Sequence, residues 1–212
     1  MTHKLRVIGL TGPSGAGKST VASLLAERGI PVIDADAVYH DLLIPPSACL
    51  DALSAAFTPV ILAPDGSLDR TALAALVFED SDTGRQKKEL LNAITHRFII
   101  EKTNQLLASY RADGASAVVI DAPLLIEAGM HRDCDFNVCV LAPKEVRLRR
   151  LMARDGKDAA SILARIHAQP DDDFYRSNTD AVIFNGTDNG TDPAASLTAQ
   201  LTQVLCRAGV KL

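Results

Sequence analysis

The sequence predicts an α/β fold built on a five-stranded parallel sheet. Segments with helical spacing separate five apolar runs, and a glycine-rich loop follows the first run. The runs are rich in Val, Ile and Leu and nearly continuous, which is typical of parallel strands covered on both faces. They lie at residues 5–11, 30–34, 117–121, 136–141 and 180–184. Alternating strands and helices of this kind indicate a doubly wound sheet.

Length and composition are those of an ordinary globular chain. The 212 residues, of which 47% are apolar and 23% charged, favour one domain with inserts over two full domains. A net charge of −4 gives no overall attraction to nucleic acid or to an anionic membrane. Without a membrane span or a signal-peptide pattern, we expect a cytoplasmic protein with no obligate protein partner.

The four cysteines show no metal-ligand spacing and no Cys-x-x-Cys pair. We therefore expect them to be reduced thiols in the core. They are Cys49, Cys134, Cys139 and Cys206.

Residues 12–19 read Gly-Pro-Ser-Gly-Ala-Gly-Lys-Ser and form a complete phosphate-binding loop between the first strand and a helix over 19–28. The glycines let successive N–H groups point at anionic oxygens, and the helix dipole points the same way. Lys18 can reach the β- and γ-phosphates, and the Ser19 hydroxyl can ligate Mg²⁺. A glycine-rich turn with a surface lysine is the alternative, which this context disfavours. The residues expected to bind a nucleoside triphosphate are Gly12, Ser14, Gly15, Ala16, Gly17, Lys18, Ser19 and Thr20.

Carboxylates follow the second and third predicted strands. Ligands of doubly wound sheets bind at the carboxyl ends of the strands, so the phosphate loop, Asp34 and Asp121 are expected on one rim. Asp34 can accept a hydrogen bond or a proton from an attacking hydroxyl. Asp36 can contact the acceptor or the coordination shell of the metal ion. Asp121 can hold a magnesium-bound water or support Ser19. Helix capping is the alternative for each acid, including Asp121 before a helix that starts at Leu124.

The gap between the second and third strands is too long for a simple crossover. We interpret residues 37–113 as a helical insert that holds an acceptor. Its expected helices lie near residues 37–43, after Pro45-Pro46, after the turn at 64–66, and from about 82 to 110.

A second insert, residues 143–178, is basic, and we interpret it as a lid. Arg147, Arg150 and Arg154 share one side of a helix at i, i+3 and i+7. A solvated basic face is the common arrangement, and we favour it for Arg147 and Arg149. Arg150 and Arg154 are predicted to close on the triphosphate and spread charge in the transition state. The nucleotide-binding core is then left with residues 1–36, 114–142 and 179–212.

Three classes of protein share such a phosphate loop. A regulatory GTPase carries Asn-Lys-x-Asp, and a transporter ATPase carries Leu-Ser-Gly-Gly-Gln; neither occurs here. A small-molecule kinase needs a phosphate loop, a carboxylate near the acceptor, an acceptor-binding insert and an arginine lid. The chain has a candidate for each of these four parts, so the predicted class is a small-molecule kinase. A nucleotide switch that binds a partner remains the distant alternative.

The ordered set of motifs from about Leu5 to Gly186 resembles the dephospho-coenzyme A kinases. The phosphate loop alone is shared by many kinases, whereas the whole ordered set is much more specific. The matching segments are 10–12 at the entry to the loop, 29–36, 65–70, 91–96, 121–127, 150–155, 165–166 with 168–169, and 180–183 with 185–186.

The resemblance implies a fold like that of nucleoside monophosphate kinases. It also implies transfer of the γ-phosphoryl group of ATP, with Mg²⁺, to the ribose 3′-hydroxyl of dephospho-coenzyme A. The alternative is a kinase of the same fold that acts on another nucleotide-like metabolite. The catalytic residues would be Asp34, Lys18 and Arg150. Arg154 would join the phosphate loop at ATP, Ser19 and Asp121 would ligate Mg²⁺, and the acceptor would contact Asp34, Asp36, Arg70, His96 and Leu124.

The chain departs from the family pattern at four places. Pro13-Ser14 stands where Gly-Ile is usual, and Pro13 removes one backbone donor. Arg97 follows His96 where proline is usual, three aspartates at 171–173 stand where a basic residue near an alanine-rich turn is usual, and Phe184 stands where the family tends to have Asp. The last two departures concern details of lid closure rather than the reaction.

Overall fold

The structure, a computed structural model, describes residues 4–79, 81–186 and 193–210, and it joins the predicted strands in one five-stranded parallel sheet. Each strand lies within two residues of its predicted bounds. The sheet order is β2-β3-β1-β4-β5. The strands are β1 (Arg6–Thr11), β2 (Val32–Asp34), β3 (Ala117–Asp121), β4 (Phe136–Leu141) and β5 (Ala181–Phe184).

The central strand β1 pairs in parallel with both β3 and β4. Arg6 lies opposite Ala117 on one side, and Ile8 lies opposite Phe136 on the other. Every residue of β3 is buried, which explains why this run is continuously apolar until its terminal acid. The phosphate loop therefore leaves the middle of the sheet.

Helices follow and connect these strands along the chain. Side-chain caps begin several of them: Asp34, Ser47, Asp69, Asp158 and Asp171 each accept a backbone N–H of the following turn. The helices are α1 (Lys18–Glu27), α2 (Ala35–Asp41), α3 (Ala48–Phe57), α4 (Arg70–Val77), α5 (Asp82–Ala112), α6 (Lys144–Asp155), α7 (Ala159–His167), α8 (Asp172–Ser177) and α9 (Pro193–Arg207).

The helix expected from Leu124 is absent. Residues 123–129 form successive turns, followed by a short 3-10 helix at Met130–Asp133. Asp121 therefore does not cap a helix at this point. The four helices expected in the first insert are all present as α2 to α5.

The chain forms two compact units. The sheet unit contains the residues up to Ile33 and from Ala108 onward, and the helical unit is Asp34–Leu107. In the sheet unit, α1 and α9 pack on the strands around a core that includes Ile8, Val140 and Leu201. Seven buried residues form the core of the helical unit: Leu43, Cys49, Leu53, Phe57, Ile61, Leu73 and Val77. None of the helices described here is both long and apolar enough to cross a bilayer.

Candidate nucleotide-binding site

The loop between β1 and α1 has the backbone conformation that phosphate binding requires. Gly12, Gly15 and Gly17 have φ values of 145°, 79° and 95°. A Cβ on Gly17 would collide with the Asn185 side chain, and one on Gly12 would collide with the Val140 carbonyl. Gly17 caps α1 and has no side chain that could compete with an anion for the N–H groups of the first turn.

Lys18 and Asp121 form a buried ion pair beside this loop. The Lys18 Nζ donates to Asp121 Oδ1, and the two side chains are 18% and 7% exposed. Asp121 ends β3 and Lys18 begins α1, so the sheet topology brings together two groups 103 residues apart. Ser19 and Thr20, the next residues of α1, are exposed.

Arg150 reaches the phosphate loop from α6. Its Nη1 donates to the carbonyl oxygens of Gly15 (3.4 Å) and Ala16 (3.2 Å), and its Nη2 donates to Asn185 Oδ1 (3.3 Å). Asn185 in turn donates from Nδ2 to the Ala16 carbonyl at 2.8 Å. Burial and the neighbouring Arg149 both lower the pKa of Arg150. The structure thus places Arg150 against carbonyl oxygens of the loop, and its closure on the triphosphate stays a prediction. The structure also adds Asn185, to which the motif gave no role.

Arg147 also contacts the loop, and the prediction of a solvated side chain was wrong. It is only 5% exposed. Its Nε donates to the Ser14 carbonyl at 2.9 Å, and its Nη2 donates to Gln169 Oε1 at 3.1 Å. The same Gln169 oxygen accepts the Ser14 N–H at 3.0 Å, while Gln169 Nε2 donates to Ser14 Oγ at 3.2 Å. We call Ser14, Arg147 and Gln169 the Ser14 clamp.

Two further arginines of α6 point away from the loop. Arg149 is exposed, as predicted. The Arg154 side chain is 61% exposed and donates from Nε to Asp155 Oδ1 at 2.6 Å, and this bond raises the pKa of Arg154. Asp155 also pairs with Arg165 at 3.0 Å. The structure therefore does not bring Arg154 to the loop with Arg150.

Asp34, at the end of β2, caps α2. Its Oδ1 accepts the N–H groups of Asp36 (2.9 Å) and Ala37 (3.1 Å), and the residue is exposed. Capping was the alternative considered for both Asp34 and Asp36, and of the two it is Asp34 that caps the helix, whereas Asp36 lies in the first turn. Neither capping bond uses Asp34 Oδ2.

In the helical unit, Arg70 lies at a mainly apolar cavity of about 240 Å³. Arg70 Nη2 is 2.8 Å from His40 Nδ1, a contact that the sequence did not reveal. His96 is partly buried on α5 and does not line the cavity, and Leu124, in the sheet unit, is 56% exposed. The cavity is lined by Tyr39, Leu43, Leu68, Arg70, Leu73, Ala74, Val77, Phe78 and Leu91.

The cysteines form no pairs. Cys49 and Cys139 are buried and Cys134 is partly buried, whereas Cys206 on α9 is exposed, contrary to the expectation of a core thiol. Over the described ranges, no group of three or more His, Cys, Asp and Glu side chains is placed to hold a metal ion.

Comparison with known proteins decides the family. The model of the family described as "CoaE: Dephospho-CoA kinase" matches residues 6–190, which is most of the chain. The chain belongs to the dephospho-CoA kinase family. A dephospho-CoA kinase from Corynebacterium efficiens is 41% identical over 198 residues, covering 93% of this chain and 94% of the relative. One from Moorella thermoacetica is 43% identical over 183 residues, covering 86% and 84%.

Among solved structures, TT1252 from Thermus thermophilus is similar to this chain at a TM-score of 0.78 and 30% identity. The match covers 96% of this chain and 97% of the other. The resemblance inferred from the motifs is thereby confirmed at the level of the family.

The departures from the dephospho-CoA kinase pattern have local structural roles. Asp171 caps α8 by accepting the Phe174 N–H at 2.9 Å, so the three aspartates begin a helix. Phe184 packs against a buried cluster that contains Tyr175. The Arg97 guanidinium carbon lies 4.6 Å from the centre of the Phe98 ring.

Proposed function

We propose that this protein transfers the γ-phosphoryl group of ATP to the ribose 3′-hydroxyl of dephospho-coenzyme A, giving coenzyme A and ADP. The observation that carries the proposal is the phosphate loop of residues 12–19, with its three left-handed glycines, in a chain of the dephospho-CoA kinase family. Relatives with that name match nearly the whole chain. Another nucleotide-like acceptor is the second candidate, because the loop itself selects only the phosphate donor.

On the donor side, the chain supplies positive charge and directed N–H groups. Asp121 holds the Lys18 ammonium beside the loop, and Arg150 places a second cation against the Gly15 and Ala16 carbonyls. We propose that both cations stabilise the charge that develops during transfer, which is the main demand that phosphoryl transfer makes of a protein. For Arg154 to act with Lys18 and Arg150 at the phosphate loop, it would have to break its bonds to Asp155.

The donor side also fits Mg²⁺. Ser19 offers an exposed hydroxyl on the first turn of α1, and Asp121 offers a carboxylate at the end of β3. Mg²⁺ prefers hard oxygen ligands and is usually held by one or two protein groups together with phosphates and waters. A bound Mg²⁺ ion neutralises phosphate charge and orients the triphosphate.

On the acceptor side, we propose that Asp34 orients the 3′-hydroxyl through Oδ2. The cap fixes the carboxylate through Oδ1 alone, so the second oxygen can accept a hydrogen bond. Arg70, beside the apolar cavity, suits an acceptor that carries both phosphates and apolar groups. Asp36, His96 and Leu124 remain proposed acceptor contacts on the strength of their family positions.

We further propose that residues 143–178, which hold α6, α7 and α8, act as a lid, and that residues 37–113 bind the acceptor. The observed units divide after Ile33 and before Ala108, close to the proposed domain limits.

Both substrates are small cytoplasmic metabolites. We accordingly propose the cytoplasm as the site of action, with no requirement for nucleic acid, membrane or a protein partner.

The test is ADP release from purified protein with Mg²⁺ and ATP, measured with and without dephospho-coenzyme A. We expect strong stimulation and a product heavier by one phosphoryl group in mass spectrometry. The Lys18→Met variant, which removes the ammonium from the loop, is the control for contaminating kinase. An ATP-binding sample that shows no stimulation would contradict the proposal, and a panel of other nucleotide acceptors would then separate a different kinase from a switch.

A further inference from the structure

Ser14 is held by side chains that are distant in the chain. Gln169 accepts the Ser14 N–H and Arg147 donates to the Ser14 carbonyl, while a third bond joins the Ser14 hydroxyl to Gln169. Arg147 and Gln169 also bond to each other at 3.1 Å. Three bonds therefore meet on one residue of the phosphate loop and fix the peptides on both of its sides.

Burying Arg147 at this position has an energetic cost that its contacts offset. Burial lowers the pKa of Arg147, and the nearby Asp172 and Tyr175 act in the opposite direction. Among the described residues its recorded hydrogen bonds go to Ser14 and Gln169 rather than to a carboxylate. A buried cation without an ion pair needs well-placed acceptors, and here these acceptors are the loop and the residue that holds the loop.

The segment just before Ser14 is already stiff. Pro13 has a fixed φ and no N–H, and its carbonyl accepts the Ala16 N–H at 3.1 Å. The local Ala16 bond thus already helps to hold the peptide between Pro13 and Ser14, whereas the Ser14 carbonyl, in the next peptide, is held by Arg147. Since the N–H groups expected to face the phosphates begin after Ser14, the orientation of this second peptide sets where they start.

We propose that Arg147 and Gln169 are positioning residues that fix the backbone on both sides of Ser14 and thereby set the affinity of the loop for ATP. The proposal rests on the proposed function only in taking ATP as the ligand. It assigns Arg147 a role different from that of Arg150, which contacts the later part of the loop. Losing the clamp should weaken binding of the ground state and the transition state alike, and so raise KM for ATP with little change in kcat.

The experiment compares Arg147→Met and Gln169→Leu with Arg149→Met. Arg147→Met and Arg149→Met are the same substitution, and Arg149→Met removes the same charge from an exposed position on α6. We expect the Kd for ATP, measured directly by calorimetry, to rise about tenfold in the two clamp variants, as for the loss of a charge-assisted hydrogen bond. The control should change Kd less than about twofold, and kcat at saturating ATP and KM for the acceptor should stay near wild type in every variant.

Two further variants separate positioning from simple packing or charge. Arg147→Lys keeps the cation but lacks the planar fork, so we expect only partial recovery of ATP affinity. The Arg147→Met/Gln169→Leu double variant should lose less ATP affinity than the two single losses combined. The reason is that both side chains hold the same residue, Ser14.

Unchanged or tighter ATP binding in Gln169→Leu, full recovery with Arg147→Lys, or a parallel loss of kcat would each overturn the proposal. Because the experiment measures ATP binding, its result does not depend on which acceptor the protein phosphorylates. Wild-type protein that fails to bind ATP would instead contradict the proposed function.

Discussion

Asp34 caps α2, and we propose that it also orients the acceptor hydroxyl, two tasks that the sequence presented as alternatives. One carboxylate oxygen accepts both capping bonds at the start of α2. The proposed catalytic task needs only the other oxygen, so the cap and the hydroxyl contact are compatible in one side chain. The cap also fixes the carboxylate plane, which is useful for a group that orients a substrate.

Substitution separates the two tasks, because asparagine caps helices about as well as aspartate does. We expect Asp34→Asn to keep the free energy of unfolding near wild type while kcat falls by about 10²–10⁴-fold. Asp34→Ala should lose the same activity and also about 1 kcal/mol of stability. Urea unfolding and the ADP-release assay measure the two quantities.

Ser47→Ala is the matched control for the cap. It removes the α3 cap, in which Ser47 accepts the Leu50 N–H, within the same helical unit. Stability should fall and kcat should remain. Wild-type kcat in Asp34→Asn would leave Asp34 with the structural task alone.

At the scale of elements, the amino ends of β1 and β4 are joined by Asp135. Its Oδ2 accepts the Val7 N–H at 2.9 Å, and its Oδ1 lies 3.2 Å from Lys4 Nζ and 3.5 Å from Arg6 Nη1. Burial raises the pKa of Asp135, but the Val7 hydrogen bond and the two cations lower it by more. The net pKa lies below the ordinary value. This carboxylate therefore stabilises the fold when it is ionised.

The sign of the pH effect follows from that lowered pKa. The stability contributed by Asp135 is fully present above the pKa of the unfolded chain, about 3.9, and is lost as pH falls through the lower folded value. We expect Asp135→Asn to be less stable than wild type at neutral pH and to lose less stability between about pH 5 and pH 3. Urea unfolding at several pH values measures this, with the exposed Asp113→Asn as control. Parallel curves for wild type and Asp135→Asn would contradict the assignment.

At the scale of the whole molecule, each unit buries a core of its own, and each unit has a buried cysteine. Cys49 belongs to the core of the helical unit, and Cys139 lies in a cluster of the sheet unit with Leu141 and Tyr175. Burial raises the pKa of Cys49 and of Cys139. Burial together with nearby acids raises the pKa of Cys134 to about 12.

Thiol chemistry should therefore distinguish Cys206 from the other three cysteines. Since the thiolate is the reactive form, we expect one rapidly reacting thiol in the native protein at mildly alkaline pH, and all four in denaturant. Ellman's reagent counts them, and Cys206→Ser should remove the rapid phase. A second rapid thiol in the native protein would show that one of the cores opens readily.

Much of this molecule follows from short-range patterns in the chain. Apolar runs placed all five strands within two residues, because continuous burial on both faces constrains every position of a parallel strand. The phosphate loop was predictable because its glycines, lysine and serine act within eight consecutive residues. Family membership followed from the order of such motifs, which the family match over residues 6–190 confirms.

The tertiary structure alone decided which distant side chains meet at the loop. Ser14 and Gln169 are 155 positions apart, and Lys18 and Asp121 are 103 apart, so no local period records their contact. The arginines of α6 show this limit. Arg147 was predicted to be solvated and Arg154 to close on the triphosphate, but packing buried Arg147 and left Arg154 bonded to Asp155. Sequence determines elements through local periodicity, whereas the partners of a long polar side chain depend on how those elements pack.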